Sequence, residues 1–90
     1  MSETMLQVLI LGVLEESGGC AYPFEIAKRI LADKLDGMNP DKFMSFVNDI
    51  LFVLSDLAKQ GLVYRDKKST LDYTKPLMTS MWCIKRGGEE

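Results

Sequence analysis

The sequence predicts a single small α+β domain, three helices followed by a short antiparallel sheet, and three observations carry that expectation. With 90 residues, 47% hydrophobic and 27% charged, the chain can build one core and is too short for two. Only 7 Gly and 3 Pro accompany those apolar residues, the balance of a packed domain rather than of a disordered one. The first two thirds of the chain carry helical patterning, and after Gly61 the period changes to two.

The first helix is expected over residues 3–16. Met5, Leu6, Val8, Leu9, Ile10, Leu11, Val13 and Leu14 make it apolar on nearly every side, so it must be buried all round. It stops at Ser17-Gly18-Gly19, where glycine can close a helix C-terminus. Cys20-Ala21-Tyr22 is then free to form a very short strand. Pro23 fits the first helical position because its missing N–H would be unpaired there anyway. Ile26, Ala27, Ile30, Leu31 and Leu35 follow at the helical period, which takes the second helix to about Leu35.

Asn39-Pro40-Asp41 combines a capping side chain, proline at the first position and an acid facing the positive end of the helix dipole. The helix it starts reaches Gln60 and ends at Gly61. At 100° per residue, Phe43, Val47, Ile50, Leu54 and Leu57 form its inner seam. The opposite strip carries Asp41, Lys42, Ser45, Asn48, Asp49, Ser55, Asp56 and Lys59, with Phe52 among them. Leu62 to Asp66 then reads as a strand broken at Lys67-Lys68-Ser69-Thr70, and Met81 to Lys85 as its partner. Residues 71–80 contain Pro76 and no clean alternation, so they form a long hairpin tip. The tail 87–90 is expected to fray.

The resulting order, α-β-α-α-β-β, is that of a winged helix-turn-helix, one domain spanning residues 1–90. Several segments resemble the N-terminal domain of the PadR-like winged-helix transcription regulators. Leu9-Ile10-Leu11-Gly12-Val13-Leu14 with Glu15 or Glu16 is similar to the family's opening L-I-L-G-L-L-x-E. Pro23-Phe24-Glu25-Ile26-Ala27-Lys28-Arg29-Ile30 is similar to its G-Y-E-I-x-K-x-L. The stretch from Ile50 to Leu54 and then Gly61-Leu62-Val63 resembles its L-Y-P-x-L-x-x-L-x-x-x-G-L-V, with Leu51-Phe52 where the family has Tyr-Pro. Trp82 to Gly87 stands at the family's final strand. The resemblance implies a DNA-binding regulator. The family's long C-terminal dimerisation helix has no counterpart in these 90 residues, so a dimer needs another surface.

Composition narrows the chemistry. Histidine is absent, which removes the commonest general base, most zinc sites and every Ser/His or Cys/His nucleophile pair. Glu15 and Glu16 are adjacent and so point to different helix faces, and Ser17-Gly18-Gly19 lacks the lysine of a phosphate-binding loop. No enzyme, cofactor, metal site or small-molecule ligand is expected. The uncharged run from Thr4 to Leu14 is about half of what a membrane span requires, so no membrane partner is expected either. Cysteine usage without any C-x-x-C makes an intracellular, cytoplasmic location the default. In a winged helix the strand after the first helix pairs with the last strand, which would bring Cys20 close to Cys83. Two reduced, partly buried thiols are the expectation there, with a bridge as the alternative.

Charge is divided unevenly. Residues 1–60 hold 5 basic and 9 acidic side chains, whereas residues 61–90 hold 6 basic and 4 acidic. Double-stranded DNA is therefore the expected partner through local contacts: Arg65, Lys67, Lys68 and Lys75 of the hairpin, with Lys85 and Arg86 at its base, on phosphates, and Lys42, Ser45 and Asn48 of the third helix near base edges. Asp41, Asp49 and Asp56 on the same strip keep a different class open, a winged helix used as a protein-interaction module. Because one domain cannot hide the whole first helix, a homodimer is expected through Met5, Leu6, Leu9, Val13 and Phe52.

Overall fold

Ser2 starts the first helix: its hydroxyl accepts a hydrogen bond from the Met5 N–H at 3.1 Å, satisfying one of the N–H groups that a helix start leaves free. In the computed structural model, which describes residues 2–86, helix α1 spans Glu3–Glu16, strand β1 Cys20–Ala21 and helix α2 Pro23–Ile30. Helix α3 spans Pro40–Lys59, strand β2 Val63–Asp66 and strand β3 Met81–Ile84. The tail 87–90, expected to fray, lies outside the described residues. The architecture is α+β, three helices against one antiparallel sheet with β3 central, in the order β1-β3-β2.

Capping explains the bounds of α3. The Asn39 side chain accepts from the Asp41 N–H at 2.7 Å, with Pro40 at the first position and Asp41 in the first turn. At the other end Gly61 adopts φ 78°, a left-handed conformation that only glycine enters without strain. The Leu62 N–H then bonds to the Leu57 carbonyl at 3.0 Å, which closes the helix and turns the chain into β2.

The second helix is shorter than expected. It ends at Ile30, and Ala32–Lys34 forms a 3-10 turn in place of the last turn to Leu35. Ile26 and Ala27 are fully enclosed, whereas Ile30, Leu31 and Leu35 are only half-buried. Periodicity continues past Ile30, but the core it would pack against does not.

The core is built by Ile10 and Leu14 of α1, Ile26 of α2, and Ile50, Leu54 and Leu57 of α3, with Val63 and Trp82 of the sheet closing one side. Phe24 and Phe43 stack at 6.1 Å between ring centroids and tie α2 to α3. Helix α1 is not buried all round. Leu6, Ile10, Val13 and Leu14 face inward, and Met5, Val8 and Leu9 face out. Placing Leu6 and Val13 in a dimer contact is thereby corrected, since both are already covered within one chain.

The expectation of reduced thiols is also overturned. Cys20 and Cys83 are direct partners across the β1–β3 pair, their Cα atoms lie 4.0 Å apart, and they form a disulfide. The bond joins positions 63 residues apart in sequence. The proximity follows the expected pairing of the first and last strands, and the exact register, which no local pattern announces, sets the two residues directly opposite each other.

Candidate nucleic-acid interface

Helix α3 turns Val47, Ile50, Val53, Leu54 and Leu57 into the core. That orientation leaves Lys42, Ser45 and Asn48 exposed on the opposite side, one helical turn apart. Asp41 and Asp49 are exposed beside them. Phe52, also on this strip, is 64% exposed.

The hairpin displays its lysines on a fixed frame. Lys67 and Lys68 lie in the 3-10 turn Lys67–Ser69. The Asp66 carboxylate accepts from the Lys68 N–H at 3.1 Å, and the Ser69 hydroxyl donates to the Asp66 carbonyl at 2.6 Å and accepts from the Met81 N–H at 2.7 Å. Tyr22, just ahead of α2, donates its hydroxyl to the Ser69 carbonyl at 3.0 Å. The turn is therefore held from both strands and from the helical layer. Both lysines are exposed, as is Lys75 at the tip. Among the described residues, the ion pairs are Arg29 with Glu16 and Arg86 with Glu15, neither of which engages the four lysines expected to contact DNA.

Residues 71–80 are an ordered loop without regular strand. Thr79 organises it, since its hydroxyl donates to the carbonyls of Lys75 and Asp72 and accepts from the Asp72 N–H at 3.0 Å. The Asp72 carboxylate in turn accepts from the Thr74 hydroxyl at 2.6 Å and the Thr74 N–H at 2.9 Å. Those two bonds, with Lys75 nearby, hold its pKa below the ordinary aspartate value. Leu71 and Tyr73 stand out from this frame, 75% and 77% exposed. The sequence offered no sign of that display, because the loop's bonds run between side chains and backbone and leave no periodic trace.

Arg65 does not join the free cations. Its Nη1 atom lies 3.0 Å from the Ser80 hydroxyl and 3.4 Å from that of Thr70, and these two hydroxyls are 2.6 Å apart. Ser80 is wholly enclosed and Thr70 nearly so. Arg65, read as a phosphate contact from the charge of the hairpin, is half-buried on the same side of the strand as Val63 and lines a groove with Lys67 and Lys85.

Lys85 and Arg86, expected at the base of the hairpin, are both exposed there. Lys85 lines a groove of about 400 Å³ with Lys67, Tyr64 and Gly61, where the end of α3 meets the sheet. Position alone makes Lys85 part of the basic surface, since its N–H bonds to the Leu62 carbonyl at 2.9 Å and brings it beside the turn after α3.

Of the residues expected at a dimer contact, Met5, Leu9 and Phe52 are on the surface, and Val8, 64% exposed, joins them. Among the described residues, no cluster of His, Cys, Asp or Glu could hold a metal ion, and no helix is long and apolar enough to cross a membrane. No protein-family model, curated protein or solved structure matches this chain.

Proposed function

We propose that the chain is a winged helix-turn-helix protein that binds double-stranded DNA as a homodimer and regulates transcription, in the manner its resemblance to the PadR-like regulators implies. The observation that carries the reading is the pairing of two exposed features in one small molecule. Helix α3 presents Lys42, Ser45 and Asn48 on its free face, and the β2–β3 hairpin presents Lys67, Lys68 and Lys75 on a bonded frame. In this reading the hairpin is the wing. Its lysines neutralise phosphates and set the position of the protein, while Asn48 reaches a base edge, where asparagine can pair bidentately with adenine.

A mixed set of fluorescently labelled duplexes, titrated at about 50 mM and about 200 mM salt, tests it. Binding that weakens steeply between the two conditions supports phosphate contacts by the wing. No binding at the lower salt ends the DNA reading. Asp41 and Asp49, exposed beside Lys42 and Asn48, favour the second reading in that event, a winged helix whose α3 face meets a protein partner.

A further inference from the structure

Ala21, Val63 and Trp82 point from the sheet into the core. Side chains alternate along a strand, so Cys20, Tyr64, Met81 and Cys83 share the opposite face. The disulfide lies on this outer face and joins the edge strand β1 to the central β3. Tyr22 follows Cys20 by two positions in extended backbone, φ -80° and ψ 148°, and therefore stays on the same face. Its hydroxyl donates to the Ser69 carbonyl at 3.0 Å, and Ser69 belongs to the turn that carries Lys67 and Lys68. One short segment thus holds the disulfide at one end and the wing turn at the other.

Backbone pairing alone gives that segment a weak hold. Strand β1 is two residues long, with the pairs Cys20–Cys83 and Ala21–Trp82, and the Ile84 N–H adds a bond to the Gly19 carbonyl at 2.7 Å. Antiparallel pairs alternate between hydrogen-bonded and non-bonded. The bond between Ile84 and Gly19 therefore makes Cys20 and Cys83 a non-bonded pair, the kind whose side chains come closest. There the disulfide supplies the cross-strand link that the backbone does not. A ladder this short is marginal without further support, so the covalent bond sets where Tyr22 stands relative to Ser69.

We propose that Cys20–Cys83 is a redox latch on the wing turn, closed as the disulfide and opened by a dithiol reductant. Its effect on DNA rests on the reading above and deepens it by giving the wing a control. A DNA-binding chain works among the dithiols that keep intracellular thiols reduced, so the reductant is at hand wherever that reading holds. One thiolate of the reductant attacks Cys20 Sγ, because Cys20 is half-buried whereas Cys83 is 3% exposed. The Sγ–Sγ bond breaks, its electron pair leaves with Cys83, and that thiolate takes a proton from water. The reductant's second thiolate then displaces the Cys20 sulfur, which is protonated in turn. The chain gains two electrons and two protons, and the reductant leaves as a disulfide.

Opening frees β1 from β3 locally. Tyr22 then loses its fixed place at Ser69, while the bonds of Lys68 to Asp66 and of Met81 to Ser69 keep the turn on the hairpin. Lys67 and Lys68 sample more positions, and ordering them again on phosphates costs conformational entropy. The oxidised chain is the tighter DNA binder.

Amide hydrogen exchange of the whole chain, before and after dithiothreitol, tests the latch without DNA. Two neighbouring amides of one chain segment report separately, since the Ile84 N–H bonds to Gly19 beside β1 and the Lys85 N–H to Leu62 beside β2. Reduction should speed exchange at Ile84 at least about tenfold more than at Lys85, the mark of a local opening. Equal acceleration of both amides overturns the latch, because the bond then supports the whole fold alike. No change at Ile84 overturns it too, as does loss of the folded circular dichroism on reduction. Anisotropy titration with a labelled duplex then tests control of the wing. Reduction should weaken binding about two- to tenfold, and Tyr22→Phe in the oxidised chain should do the same, since each removes one neutral hydrogen bond. Reducing the Tyr22→Phe chain should cost less than about a further twofold, because the two changes act through one contact. A full second loss overturns Tyr22 as the link. Cys20→Ser opens the latch without reductant, and a Cys20→Ser chain that binds duplex as the oxidised original does overturns the control of the wing. An original chain that binds no duplex in either state overturns the DNA reading, and the Ile84 and Lys85 amides still decide the latch.

Discussion

Arg65 Nη1 lies 3.0 Å from the hydroxyl of Ser80, a residue with no exposed surface, and this contact joins the end of β2 to the start of β3 where the hairpin leaves the sheet. The Ser80 hydroxyl also donates to the Pro76 carbonyl at 2.5 Å and lies 2.6 Å from the Thr70 hydroxyl. Arg65 thus braces the loop that carries Lys75, while also lining the groove shared by Lys67 and Lys85.

Replacing Arg65 by methionine should therefore lower stability rather than phosphate binding. A hydrogen bond to a charged donor contributes about 1.5 to 3 kcal/mol, and urea unfolding should show a loss in that range. The salt dependence of duplex binding should stay as it was. A flattened salt slope at unchanged stability would return Arg65 to the phosphate contacts.

The Cys20–Cys83 bond closes a loop of 63 residues, and the chain-entropy model assigns such a loop about 4 kcal/mol of stabilisation. Reduction should shift the urea midpoint down by about 2 to 4 kcal/mol in stability while the far-ultraviolet circular dichroism in water remains that of the folded chain. Free thiol titration before reduction should find none, and a result of two thiols per chain would remove the bond.

The lysines and Asn48 should separate by the kind of binding they lose. Lys67→Ala with Lys68→Ala is expected to flatten the log–log salt slope by about one to two units and to weaken binding to all duplexes alike. Asn48→Ala is expected to cost about 1 to 3 kcal/mol on preferred duplexes only, relaxing one base pair. Anisotropy titrations over a salt series read both quantities.

Asp72 makes the loop sensitive to acid. Its pKa is held below 3.8 by the two hydrogen bonds from Thr74, so it binds protons less readily folded than unfolded. The stability this contributes is complete above the ordinary aspartate value and is lost as pH falls through the lowered one. Carbon-detected NMR titration should find the midpoint below 3.8, and Thr74→Val should move it upward.

Much of this protein is written locally. Gly18-Gly19, Asn39-Pro40 and Gly61 set helix ends through bonds to residues within five positions, so these local signals placed the end of α1 and both ends of α3 within a residue of their observed bounds. The seam from Val47 to Leu57 chose the inner face of α3 by period alone, and Lys42, Ser45 and Asn48 were legible as outward residues for the same reason. Where the pattern was uniform or the partner distant, only the tertiary structure could decide. Helix α1 is apolar all round and has no face of its own. The packing of α2, α3 and β3 against it made Leu6 and Val13 core and left Met5, Val8 and Leu9 outside. Arg65 found Ser80 across a hairpin, and the approach of Cys20 to Cys83, expected from the order of elements, became a bond through the exact strand register. Each of these depends on how far-separated segments are brought together, and that information resides in the summed packing of the core rather than in any window of sequence.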